Sequence, residues 1–171
     1  MAVAWDTQDG FDVLFDWGAA GVSRLTGGVD VMVIVDVLRF TTAVLAAAEC
    51  DVAVLPYRWR DEGAAEYASQ TAALLADGTD PSGPSLCPAS LRRLPAGTSV
   101  VLPSPNGSTC SLEAAESGGT VAAGCLRNAA AVAITTTTRA TTTEIRRALN
   151  QRLAGSAHDE IALRRAQARS R

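Results

Sequence analysis

An α/β layered domain is the fold class this sequence predicts, and three observations predict it. Short uninterrupted apolar runs, VMVIV at residues 31–35, DVAVLP at 51–56 and SVVLP at 99–103, have the composition of buried strands. A strand, a polar turn and a helical stretch then follow one another three times, with the turns at residues 36–42, 104–109 and 124–128. At 171 residues, 47% of them hydrophobic, the chain is long enough for one domain with a real core. In α/β sheets the ligand crevice lies beyond the carboxyl ends of the strands, which is where all three polar turns fall.

The elements follow in order. FDVLFDW, from Phe11 to Trp17, alternates apolar and acidic residues and predicts a half-exposed strand. Gly18 to Leu25 predicts a short helix closed by Gly27 and Gly28. Val31 to Val35 predicts a strand buried on both faces, and Thr41 and Thr42 open an Ala-rich helix that runs to Glu49. The second strand ends at Pro56. Asp61 to Ala76 predicts a helix, with Asp61 as its cap and Asp77-Gly78 as its stop. Residues 77–90, rich in Gly, Pro and Ser, predict a loop long enough to be functional. Ser99 to Pro103 is the next strand, STCSLEAAE the next helix, and Thr120 to Ala123 a further strand before an Ala/Val helix.

Composition excludes several classes. The four cysteines lack metal-site spacing and the single histidine is His158, so zinc sites and Ser-His or Cys-His nucleophiles have no basis in the main body. No apolar run approaches the roughly 20 residues of a membrane span, and no signal peptide is evident, so a cytoplasmic protein is expected. Residues 1–134 carry 7 arginines against 15 acids, whereas residues 135–171 carry 8 arginines against 3 acids. A nucleic-acid surface on the body is therefore disfavoured, and the basic tail lacks an aromatic residue to stack on a base.

The turn at residues 36–42 places the carboxylate of Asp36, the guanidinium of Arg39 and the hydroxyls of Thr41 and Thr42 at a helix start. These are parts that hold an anionic ligand together with a divalent cation. The alternative is a charged turn in which Asp36 and Arg39 pair with each other. Asn106 and Gly107 form a strong turn signal, and Asn106, Ser108 and Thr109 offer neutral oxygens and donors for a phosphate or for water on Mg2+. For Asn106 alone, a tight helix-capping turn is the favoured reading. Arg127 and Asn128 form a third pair suited to an anion, or simply an ordinary helix start.

These motifs resemble the 2-phosphosulfolactate phosphatase (ComB-like) family in its bacterial branch. VIVDVLRFTTAV is similar to that family's V-[VI]-[VI]-D-V-L-[RS]-x-[TS]-T signature. GPSLCPASL at 83–91 is similar to its Ser-rich loop, with Cys87 where serine is more usual, and VLPSPNGST and AGCLRNAAAVA match two further segments. YRW at Tyr57–Trp59 and the FDWG start also fit, so the likeness spans residues 11–134. It implies a three-layer α/β/α domain with a mixed sheet, over residues 1–134, and a Mg2+-dependent phosphatase acting on a small phosphorylated hydroxy acid. In that reading Asp36 is a Mg2+ ligand and catalytic with Arg39. Thr41, Thr42, Asn106, Gly107, Ser108, Arg127 and Asn128 bind the substrate. A homo-oligomer is compatible with it.

The likeness ends near Ala133. Seven threonines lie between Thr135 and Thr143, in a run with poor helix propensity and no core pattern. The family's further strand and acidic Gly-Glu segment have no counterpart, so the expectation is a fold incomplete at its C-terminus. Residues 135–171 are expected to pack poorly on the body, and a catalytically impaired anion-binding remnant is the alternative function.

Overall fold

The computed structural model describes residues 8, 11–26 and 29–137. Its elements run α1 (Gly18–Leu25), β1 (Val31–Val35), α2 (Phe40–Ala48), β2 (Ala53–Tyr57), α3 (Glu62–Gln70), β3 (Leu74–Leu75), α4 (Pro88–Leu91), β4 (Ser99–Pro103), α5 (Gly107–Glu116), β5 (Thr120–Gly124) and α6 (Ala129–Thr137). Helices and parallel strands alternate, as an α/β fold requires.

Among the described residues the strands form two sheets. β2 and β3 flank β4 in one, and β1 pairs with β5 in the other. Every pairing is parallel, with Val35 opposite Gly124 and Val54 opposite Val100, where a mixed sheet was expected. The split has a local cause. The Ala53 amide bonds to the Thr98 carbonyl and the Tyr57 carbonyl accepts the Ser104 amide, so alternate residues of β2 address β4. Val54 and Pro56 therefore present their backbone to the other edge, where Pro56 has no N–H to offer. Phe40, Val44 and Ser111 close the space between Pro56 on β2 and Val121 on β5.

The three-stranded sheet is covered on both faces. Val54, Val100 and Leu102 pack with Phe40, Val44 and Ala47 of α2 and with Leu91 of α4. Leu55 and Val101 point the opposite way, onto Ala68 of α3. Small residues do this work: Ala43, Ala46 and Ala47 are fully buried, which brings α2 close to its sheet.

Several expectations need correction. β1 is not buried on both faces: Met32 and Ile34 pack with Val22 and Ala114, whereas Val35 is 66% exposed. On that same face Val31 and Val33 are only half-buried. Phe11 to Trp17 is not a strand, because the backbone bends at Asp12 and Val13 and no strand among the described residues completes a ladder with it. The helix expected from Asp61 to Ala76 stops at Gln70. Asp61 caps it as expected, accepting the Ala64 amide at 3.1 Å. At the far end the Thr71 hydroxyl donates to the Tyr67 carbonyl, Ala72 turns into left-handed backbone, and Leu74–Leu75 leave to pair with Val100 and Val101. The expected 77–90 loop holds, except that α4 begins within it at Pro88. At the other end of the chain, α6 continues through Thr135 and Thr136 despite their poor propensity. Their hydroxyls donate to the Ala131 and Val132 carbonyls four residues back. The expectations for residues 138–171 and for the Gly27-Gly28 stop lie outside the described residues. No helix among the described residues is long and apolar enough to cross a membrane.

Candidate functional site

The turn after β1 is braced from within. The Thr41 amide donates to the Asp36 carbonyl at 2.9 Å, and the Thr41 hydroxyl oxygen accepts the Asp36 amide at 3.1 Å. The Thr42 hydroxyl donates to the Val37 carbonyl at 2.8 Å. Thr41 is fully buried, so its side chain shapes the turn rather than lining a surface. The Asp36 carboxylate makes no ion pair or hydrogen bond with another described residue. The pairing with Arg39 that a purely structural turn would use is therefore absent from the described contacts.

The turn after β4 meets the first one. Gly107, first residue of α5, lies against the Phe40 ring at the start of α2. The Gly107 amide donates to the Ser104 hydroxyl at 3.2 Å, and the buried Ser108 hydroxyl donates to the Leu102 carbonyl at 2.8 Å. Asn106 caps no amide with its side chain and stays exposed. One turn into α5, the Cys110 thiol is pushed above its ordinary pKa, first by burial and then by the nearby carboxylates of Glu113 and Asp36. The buried Thr109 hydroxyl and one buried Glu113 oxygen have no hydrogen-bond partner among the described residues.

The third turn is placed beside Asp36 by the register of β1 on β5, yet its side chains are engaged elsewhere. Asn128 accepts the Cys125 amide at 2.7 Å and donates to the Ala123 carbonyl at 2.9 Å, clamping the loop shut. Arg127 reaches Glu49 at 2.7 Å, and Arg92 binds the same carboxylate. Glu49 is the C-cap of α2, nine residues and about 13 Å of helix from Phe40. Arg127 is thus held at the far end of α2 from the Asp36 turn.

Arg39 takes part in a different assembly. It lines a cleft of about 360 Å³ with Arg60, which follows β2, and Arg93, which follows α4. None of the three arginines forms a salt bridge with a described residue. One wall is the 77–90 loop. There the buried Ser90 hydroxyl accepts the Ser85 amide at 3.0 Å and donates to the Cys87 carbonyl at 2.7 Å. Asp77 and Asp80 also border the cleft. The Thr79 amide and hydroxyl hold the Asp77 carboxyl below its ordinary pKa, and the Ser82 hydroxyl and amide do the same for Asp80. The three guanidiniums remain in excess over these two carboxylates, and the volume suits a small molecule. Asp36 does not line this cleft.

The sequence signalled one of these arginines, Arg39, and the 77–90 loop as a whole. Arg60 and Arg93 are 33 positions apart and belong to no motif, so only the fold brings them together. For a metal, the described residues hold no group of three His, Cys, Asp or Glu side chains. At the turn after β1 they supply the Asp36 carboxylate, which makes no ion pair or hydrogen bond with a described residue. That suits an ion that keeps most of its water and is shared with a substrate phosphate, as Mg2+ commonly is, rather than a dehydrated cage.

No family model, no curated protein and no solved structure matches this chain.

Proposed function

We propose that the chain binds a small phosphorylated acid through Arg39, Arg60 and Arg93 and hydrolyses its phosphate ester in a Mg2+-dependent reaction. The resemblance to the 2-phosphosulfolactate phosphatase family supplies the reaction type. The observation that carries the binding half is the arginine cleft, where three guanidiniums outnumber the Asp77 and Asp80 carboxylates and form no salt bridge with a described residue, although the charge of Arg60 is felt at Asp77. Arginine forks match phosphate and carboxylate oxygens, so one ligand bearing both groups would satisfy more than one of them. In this reading Asp36 would hold a Mg2+ ion, which when bound would supply charge neutralisation for phosphoryl oxygens. Arg39, on the same turn, links the two sides. A water oxygen would bond to phosphorus as the ester P–O bond breaks, one of the water's protons passing to the departing oxygen, so that the alcohol and inorganic phosphate are released.

Phosphate release from 2-phosphosulfolactate and simpler phosphorylated hydroxy acids tests the proposal. Turnover that requires Mg2+ and is lost in Asp36→Asn is the expected result. Absence of turnover across the panel with ligand binding retained would favour the second reading, an anion-binding protein without catalysis. One observation favours that second reading: the side chains of Thr41, Ser108 and Asn128 are engaged in bracing their turns.

A further inference from the structure

Among the described residues lie both halves of a strand pairing that they do not make with each other. The first half is the stretch from Phe11 to Trp17. Phe11, Val13, Phe15 and Trp17, at alternate positions, are 64–78% exposed. Such alternation is the pattern of a strand with one face made for burial. Phe15 is already in strand-like bonding, but with a side chain: its amide donates to Gln8 Oε1 at 2.8 Å, and its carbonyl accepts from Gln8 Nε2 at 2.9 Å. The Gln8 carboxamide thus offers the acceptor and donor that a neighbouring strand would supply.

The second half is the outer edge of β1. Among the described residues β1 has β5 as its one neighbour. The Asp30 carbonyl accepts the Thr120 amide, so backbone groups at even positions of β1 face β5. The amides and carbonyls of Val31, Val33 and Val35 therefore line an open edge. Apolar side chains surround its carboxyl end, with Val35, Leu38 and Leu126 all well exposed.

We propose that this chain forms a symmetric dimer in which the Phe11–Trp17 segment of each copy adds as a strand to the β1 edge of the other. A second copy is the occupant because the described residues of one chain present both an alternating segment and a β1 edge that have no strand partner among them, and a twofold exchange satisfies both at once. The area is sufficient. Three aromatics and a valine per arm, counted with the surfaces they cover, bury on the order of 1,000–2,000 Å² in two exchanged arms.

Sedimentation of the full chain across the micromolar range tests this, together with amide hydrogen exchange at Val33 and Val35. The expected result is a dimer with both amides protected. Phe15→Asp or Val13→Asp should give a monomer of unchanged far-ultraviolet circular dichroism in which both amides exchange at least tenfold faster. Trp59→Phe, at an exposed aromatic outside the arm, should leave the dimer intact. A wild-type monomer throughout, a dimer that survives Phe15→Asp, or a dimer whose β1 amides exchange freely would each overturn the proposal.

Discussion

A Cβ placed on Gly107 would collide with the Phe40 ring, so the first residues of α5 and α2 meet across a bare Cα. This contact locks the turn after β4 against the turn after β1, although the two strands belong to different sheets. Gly107→Ala should therefore destabilise by about 1–3 kcal/mol, the usual cost of overpacking. Urea denaturation measures it, and adding Phe40→Leu should recover part of the loss by vacating the space.

Asn128 closes its loop with one acceptor and one donor, both buried. Asn128→Ala leaves the Cys125 amide and the Ala123 carbonyl without partners and should cost about 1–3 kcal/mol. Asn128→Asp keeps the acceptor but turns a carboxylate toward the Ala123 carbonyl, so it should not rescue. The same denaturation series reads both variants.

The Asp16 carboxyl is held at about 2, first by the hydrogen bond from Arg24 and then by the Trp17 amide. A lowered folded-state pKa means that its contribution is fully present above the ordinary carboxylate range. That contribution fades as pH falls from about 4 toward 2. Anchoring of α1 should weaken over that window in the wild type. Asp16→Asn should lack this component, which a pH series of thermal midpoints detects.

Arg127 and Arg92 share the Glu49 carboxylate on an exposed surface. Exposed pairs contribute little, so Arg127→Ala should change stability by less than about 1 kcal/mol. Because Arg127 sits at the far end of α2, the same variant should leave phosphorylated-acid affinity unchanged. A calorimetric titration that shows weakened binding would instead place Arg127 in the site.

Much of the fold was legible because local chemistry and tertiary context agreed. VMVIV and SVVLP form strands at their expected limits, and GAAGVSRL is a helix from Gly18 to Leu25. Where the two conflicted, tertiary pairing won, as Leu74 and Leu75 left a helical pattern to join β4. The Phe11–Trp17 alternation predicts a strand, but a period-two pattern says nothing about whether a neighbour is present to pair with it. The site was legible only in part for a similar reason. The turns at 36–42 and 104–109 announce themselves by composition, and Phe40 against Gly107 joins them. Which side chains brace a turn and which face outward depends on contacts such as Thr41 to Asp36 and Asn128 to Ala123, which no local pattern encodes. Arg60 and Arg93 look like ordinary surface residues until the fold sets them beside Arg39.

The most direct test of the account is the affinity of the arginine cleft for a small phosphorylated hydroxy acid, measured by calorimetry. The wild type should bind saturably, Arg60→Gln and Arg93→Gln should each weaken binding roughly tenfold, as loss of a charge-assisted pair of about 1.4 kcal/mol implies, and Arg39→Gln should do the same. No saturable binding by the wild type, or unchanged affinity in the variant lacking all three arginines, would contradict it.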